Sequence, residues 1–225
     1  MSNSDYYAPS STERRLGEAL SQRQGMVAAV RVGQRAVEPS GRPWGLEQIA
    51  GRLVEISGAG AAAALTLAFG LVLEAQRRGE PVAWIALEER GFYPPDAAEG
   101  GVDLGALVVV RVANAKAVGR VADQLVRSGA FGLIVLDLGA GADMPTPLQT
   151  RLVGLAQKHQ TAILCVTEKG HESPSLGSLV SLRVQAQRER VCDDRFSCGL
   201  AVLKDKRRGP TWTHAEVYRG PAGLR

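Results

Sequence analysis

From Gly51 onward the chain alternates short, continuously apolar runs with amphipathic stretches, the pattern of strands traded with helices. Leu53–Ile56 reads as a strand set between Gly51 and Gly58, and a helix is expected from about Ala61 to Arg78, stopped by Gly79 at its C′ position. Val82–Leu87 and Leu107–Val112 (LVVVRV) read as the next two strands. Between Lys116 and Arg127, Val118, Val121, Ala122 and Leu125 fall on one helical face, and Gly129 ends that helix. Phe131–Leu136 (FGLIVL) is apolar at every position, as a parallel strand covered on both faces should be. Thr146 and Pro147 suit the N-cap and first position of a helix running to His159, and Thr161–Val166 (TAILCV) is another buried strand.

The last third changes character. Leu179–Gln187, Cys198–Leu203 and Thr211–Tyr218 read as successive strands joined by polar turns. Alternating strands and helices followed by a run of strands predict an α/β fold. Its central sheet should be mostly parallel and flanked by helices, with an antiparallel C-terminal extension. Before Gly51, residues 1–13 are polar and expected to be disordered. A short amphipathic helix is expected at Glu13–Arg23, a β-like run at Met26–Val32 (MVAAVRV) and a turn-rich linker at Val37–Gly45. The organisation expected is an N-terminal segment (residues 1–45), a core domain (46–219) and a short tail (220–225).

Composition narrows the class. A chain of 225 residues, 45% hydrophobic and 22% charged, can bury a stable α/β core without disulfides or metal. Three cysteines (Cys165, Cys192, Cys198) are too few and too irregular for a disulfide framework or a zinc site, which suits a reduced, cytoplasmic setting. The first residues lack the apolar stretch of a signal peptide, and the longest apolar run, Ala59–Leu73, is too short to span a bilayer. No membrane association, metal or cofactor is expected. The formal net charge of +4 is a mild basic bias, so any DNA contact is expected to be weak. His159, His171 and His214 lack ligand spacing, and Trp44, Trp84 and Trp212 suit packing better than base stacking.

A strand, a glycine-containing turn and a helix make the usual setting for a phosphate-binding loop. A working loop needs a lysine for the phosphates and a hydroxyl for magnesium. Here the segment is Gly58-Ala59-Gly60-Ala61-Ala62-Ala63-Ala64-Leu65-Thr66, with Ala64 at the lysine position, Ala63 at the preceding glycine and Leu65 at the hydroxyl. Each hydrogen bond to a charged group is worth about 1.5–3 kcal/mol, so these losses weaken nucleotide binding by orders of magnitude. Alanine also favours helix, which lets the helix extend into the turn. Alternatively, residues 58–66 are a plain strand–helix turn.

GRLVEISG at Gly51–Gly58 resembles the strand entering the phosphate loop of RecA recombinases, and the resemblance continues in order along the chain. AWIALEE at Ala83–Glu89 is similar to the strand carrying that family's catalytic glutamate, which places Glu88 on it. RSGAFGLIVLD at Arg127–Asp137 resembles the Walker B strand, with Asp137 on the magnesium-side aspartate. GSLVSLRV (Gly177–Val184) and LKDKRRGP (Leu203–Pro210) resemble the later strands, and there Lys204 and Lys206 match lysines that reach a neighbouring protomer's ATP. The likeness covers roughly residues 45–218. It departs at Ala63, Ala64 and Leu65. It departs again at the two DNA-binding loops, where only Leu138–Pro145 and Glu168–Gly177 stand, and no counterpart of RecA's C-terminal domain is expected after the last core strand.

Two readings of the charged positions follow. Glu88 and Asp137 are remnant acids of the family's site, or carboxylates at strand ends that are solvated or bonded to nearby backbone. Lys204, Lys206, Arg207 and Arg208 are a solvated turn, or a basic patch for an acidic partner or DNA, since four cations in five residues repel without an acidic neighbour. A RecA-like core without its phosphate loop implies an accessory protein that works by protein contacts and does not hydrolyse ATP. The ImuA type of translesion-synthesis accessory protein is the nearest such group. Its partners are an ImuB-like polymerase homologue and an error-prone DnaE-type polymerase. RecA or a second copy of the chain is a further partner consistent with the resemblance. A SulA-like division inhibitor binding FtsZ and a single-stranded-DNA-binding RecA paralogue are the alternatives.

Overall fold

A computed structural model describes residues 44–60, 63–90, 94–192 and 195–219. The chain divides at Ser40–Gly41 into two units, and every described residue belongs to the second. The expected features at residues 1–13, Glu13–Arg23, Met26–Val32 and the tail at 220–225 lie outside the described residues, as do Ala61 and Ala62.

A single eight-stranded sheet forms the body, in the order β3-β2-β4-β5-β1-β6-β7-β8. The strands are β1 (Leu53–Gly58), β2 (Val82–Leu87), β3 (Leu107–Val112), β4 (Leu133–Gly139), β5 (Ala162–Glu168), β6 (Leu182–Cys192), β7 (Arg195–Asp205) and β8 (Thr213–Arg219). From β3 across to β6 neighbours run parallel, and β6–β7 and β7–β8 are antiparallel. Every residue of β1 and of β4 is buried, as expected where helices cover both faces of the parallel part.

The helices are α1 (Leu46–Ile49), α2 (Ala64–Arg77), α3 (Pro94–Glu99), α4 (Ala115–Ser128) and α5 (Thr146–His159). Successive strand residues point to opposite faces, so Val54, Val135 and Leu164 pack with Leu67, Leu71 and Val72 of α2. Leu53, Ile134 and Ile163 pack on the other face with Val118, Ala122 and Val126 of α4 and Leu152 and Ala156 of α5. Trp84 is fully buried and stacks on Phe69 at 4.8 Å, and Trp44 is buried too, so both serve packing.

Three sequence expectations need correction. The second helix begins at Ala64, not near Ala61: Ala63 is its N-cap, outside helical geometry at φ −81° and ψ 15°, with its carbonyl accepting from Leu67 N at 3.0 Å. Its far end is as expected. Gly79 at φ +74° donates to Gln76 O, and Glu80 N donates to Ala75 O, closing a Schellman motif. Thr146 is the first helical residue of α5 and not its cap; Pro145 is the N-cap, with Leu148 N bonded to its carbonyl. The late strands are shifted: β6 starts at Leu182 and β8 at Thr213, later than expected, and β6 and β7 run past their apolar cores. β6 runs on through Arg188–Arg190, because each of these residues has a cross-strand partner on β7: Cys198, Ser197 and Phe196. Arg188 lies over the Phe196 ring at 3.8 Å, which gives the polar stretch a reason to stay extended.

Candidate functional site

The strand order brings four chain segments to one edge of the sheet, beyond the C-terminal ends of β2, β4, β5 and β1. From β1 the chain leaves through Gly58 and the turn at Ala59–Gly60 and enters α2 at Ala64. Ala63 and Ala64 are buried in the apolar layer under α2, Leu65 is exposed, and Thr66 is half-exposed one position further on. A strand end at Gly58 and a helix start at Ala64 therefore flank the segment. The side chains at the lysine and hydroxyl positions, Ala64 and Leu65, offer only hydrocarbon.

Beside the turn stands a cation that the sequence reading did not single out. Arg90, just past β2, donates from Nε to Asp137 Oδ1 at 2.9 Å and from Nη2 to Glu168 Oε1 at 2.7 Å. One guanidinium thus joins the ends of β4 and β5, and Glu168 is the register partner of Gly58 where the turn begins. Asp137 is not solvated: its side chain is 5% exposed, against 22% for Arg90 and 55% for Glu168. Burial raises the Asp137 carboxyl above its ordinary value, against the pull of Arg90. Burial also works against the charge on Arg90, and the two carboxylates outweigh it. Gly139 makes room, since its φ is +66° and a Cβ there would collide with the guanidinium. Glu88 stays apart. It is exposed, and its backbone N–H bonds to Val112 O at 2.9 Å.

Below this row lies a second polar centre. Glu55, in the middle of β1, is wholly buried and is bonded by Lys169 Nζ (2.7 Å), Ser175 Oγ (2.9 Å), Leu176 N (3.0 Å) and Thr167 Oγ1 (3.2 Å). Arg183, its register partner on β6, bonds the carbonyls of Ser173 and Gly170. The segment Glu168–Gly177, which stands where the resemblance puts the second DNA-binding loop, is thereby fastened to the sheet through Lys169, Gly170, Ser173, Ser175 and Leu176. A glutamate inside the apolar run LVEIS was the sequence signal for this centre.

The four cations divide into two pairs. Lys204 Nζ and Lys206 Nζ both donate to the Ser178 carbonyl, at 3.3 and 2.7 Å, and burial followed by the charge of Lys206 lowers the Lys204 ammonium. Arg207 and Arg208 are exposed. The acid between them, Asp205, serves the fold: it accepts from Arg52 Nη2 (2.7 Å), Trp212 Nε1 (3.0 Å) and Arg207 N (2.9 Å). Asp205 thus anchors the start of the turn, with the two lysines turned to one carbonyl and the two arginines exposed. Two shallow depressions among the described residues lie at the opposite end of the strands, around Gly129–Gly132 and Gly79–Pro81, away from the turn. Among the described residues no three His, Cys, Asp or Glu side chains converge as a metal site would require. No helix among them is long and apolar enough to cross a membrane.

A model of the RecA N-terminal domain matches residues 15–161 of the 225. The chain belongs to that family. Its sheet, parallel with an antiparallel C-terminal extension, is consistent with a RecA-like core, and the family is one of DNA repair and recombination. The RecA protein of Bifidobacterium breve is 34% identical over 125 residues, covering 51% of this chain and 32% of that protein. RecA of a Picosynechococcus species is 33% identical over 160 residues, covering 64% and 45%. RecA of Thermotoga neapolitana is 36% identical over 117 residues, covering 47% and 33%. The match thus spans about a third to under half of the length of these relatives.

The family's nucleotide chemistry uses magnesium, and the residues present do not fit that ion. Ala64 and Leu65 supply neither ammonium nor hydroxyl, and the carboxylate oxygen of Asp137 already accepts from Arg90. A divalent cation against Asp137 would meet the guanidinium that Gly139 accommodates.

Proposed function

We propose that this chain is a non-catalytic RecA-like accessory protein of the bacterial DNA-damage response, a protein-binding scaffold in mutagenic translesion DNA synthesis. Its partners on this reading are an ImuB-like polymerase homologue and an error-prone DnaE-type polymerase. One observation carries the reading: where β1 leads into α2 the side chains of Ala64 and Leu65 offer no polar atom, and Arg90 holds Asp137. A site so arranged lacks the lysine and hydroxyl side chains that hold and activate a triphosphate and its metal, which favours surfaces as the means of action.

An exposed edge and a resemblance support that role. Among the described residues β3 is an edge strand, with Val108 and Val109 exposed at 46% and 39%, an apolar edge of the kind that recruits another chain. The segment Arg14–Val37 corresponds, by the family resemblance, to the part with which RecA-type proteins contact a neighbour. A pull-down of the purified ImuB-like and DnaE-type proteins tests the reading. The full chain is expected to retain the ImuB-like homologue, and deletion of Met1–Val37 is expected to abolish retention. Equal retention by both chains would remove the segment from the account, and retention by neither would refute the partner.

A further inference from the structure

We propose that Arg90 is the fixed counter-ion of Asp137 and Glu168, taking the place of a divalent cation and making this sheet edge independent of metal. The proposal deepens the reading of a site without nucleotide chemistry and rests on it. The geometry is that of a cation bridge. Two nitrogens of one guanidinium reach two carboxylates on adjacent parallel strands, at 2.9 and 2.7 Å, as a metal ion ties carboxylates from separate elements. The chain approaches from a third strand, β2, so three strand ends are joined through one side chain.

Local structure is shaped to this arrangement. β4 loses its regular pairing between Asp137 and Gly139, and Gly139, in a left-handed conformation without a Cβ, leaves the space the guanidinium fills. Arginine suits the role because it is always charged and presents its donors in a rigid fork. The carboxylate it covers is nearly out of water, where an ionised Asp137 is costly without a cation beside it. A metal ion would have to be captured from solution, whereas Arg90 is delivered by the chain itself.

The test is thermal unfolding of the full chain with and without millimolar MnCl2 or MgCl2 at matched ionic strength. The wild-type chain is expected to unfold at the same temperature in each condition. Arg90→Ala leaves Asp137 and Glu168 uncovered, so its Tm should be low without metal. Mn2+ should raise that Tm by roughly 3–6 °C, the size that tenfold ligand excess over its Kd gives a chain of this length. Arg90→Ala with Asp137→Asn should lose the response. Arg90→Lys, which keeps a charge but reaches one carboxylate, should fold and respond less than Arg90→Ala. A metal response in the wild-type chain, or indifference to Mn2+ in both Arg90→Ala and Arg90→Lys, overturns the proposal. The parent reading fails on a different result, the binding of ATP by the wild-type chain.

Discussion

Arg52 Nη2 lies 2.7 Å from Asp205 Oδ1, with the two side chains 3% and 0% exposed. The pair joins the residue before β1 to the last residue of β7, across the boundary between the parallel and antiparallel parts of the sheet. Arg52 also donates to the Ser181 hydroxyl and carbonyl and to the Gln48 carbonyl, which satisfies its buried nitrogens. The first prediction follows from leaving one partner alone in that setting. Arg52→Met or Asp205→Leu should each destabilise the chain by about 3–5 kcal/mol, and the double variant should recover part of the loss. Urea denaturation of the four proteins measures this, and additive losses would contradict it.

The same pair gives a pH dependence. Burial works to raise the Asp205 carboxyl, and the Arg207 amide, Arg52 and Trp212 overcome it, so its pKa lies below the ordinary 3.8. A depressed carboxyl contributes stability that is complete above its unfolded pKa and is lost as pH falls through the folded one. The deficit of Asp205→Asn against wild type should therefore be constant from pH 5 to 7, an interval well above the ordinary carboxylate range of about 4. It should shrink below that range. Denaturation across this interval checks it, and a deficit that grows on acidification would contradict it.

The fastening at Glu55 predicts a local effect. Glu55→Ala leaves Lys169 and Arg183 without their buried acid and frees Ser175 Oγ and Leu176 N. Stability should drop by about 3–5 kcal/mol. Limited proteolysis should then cut after Lys169, a bond expected to resist in the wild-type chain. Equal resistance in both would mean that the loop is held by something other than this centre.

How much of this could be read from residues alone depended on range along the chain. β2 and β3 matched their expected bounds because Val82–Leu87 and Leu107–Val112 are apolar runs bounded by turn residues. α4 was nearly as clear, with Asn114 capping Ala117 N and Gly129 in a left-handed conformation at its end. What periodicity could not give is pairing across distance. Arg90 meets Asp137 and Glu168 over 47 and 78 positions, and Glu55 meets Ser175 over 120. Nothing local marks those partners. Arg188–Arg190 failed for the same reason, since a polar stretch looks like a turn until β7 stands opposite it.

The basic turn separates a structural role from a binding one. Lys204, Lys206, Arg207 and Arg208 reach only the Ser178 carbonyl or solvent through their side chains, so replacing all four by alanine should leave stability nearly unchanged, within about 0.5 kcal/mol for each. Weak binding of a fluorescent single-stranded oligonucleotide at low salt should fall several-fold. The salt dependence should flatten by about 0.7 for each phosphate that the variant no longer neutralises. Anisotropy titrations at three salt concentrations measure both. Unchanged affinity and slope would assign the patch to an acidic protein partner or to solvent.

The central claim is that Ala63, Ala64 and Leu65, with Arg90 on Asp137, leave no working nucleotide site. Titration of the purified wild-type chain with a fluorescent ATP analogue and magnesium, with and without single-stranded DNA, tests it most directly. The account predicts no saturable binding at millimolar nucleotide in either condition. Micromolar binding would contradict it and would make Glu88, Asp137, Lys204 and Lys206 the residues of an active site.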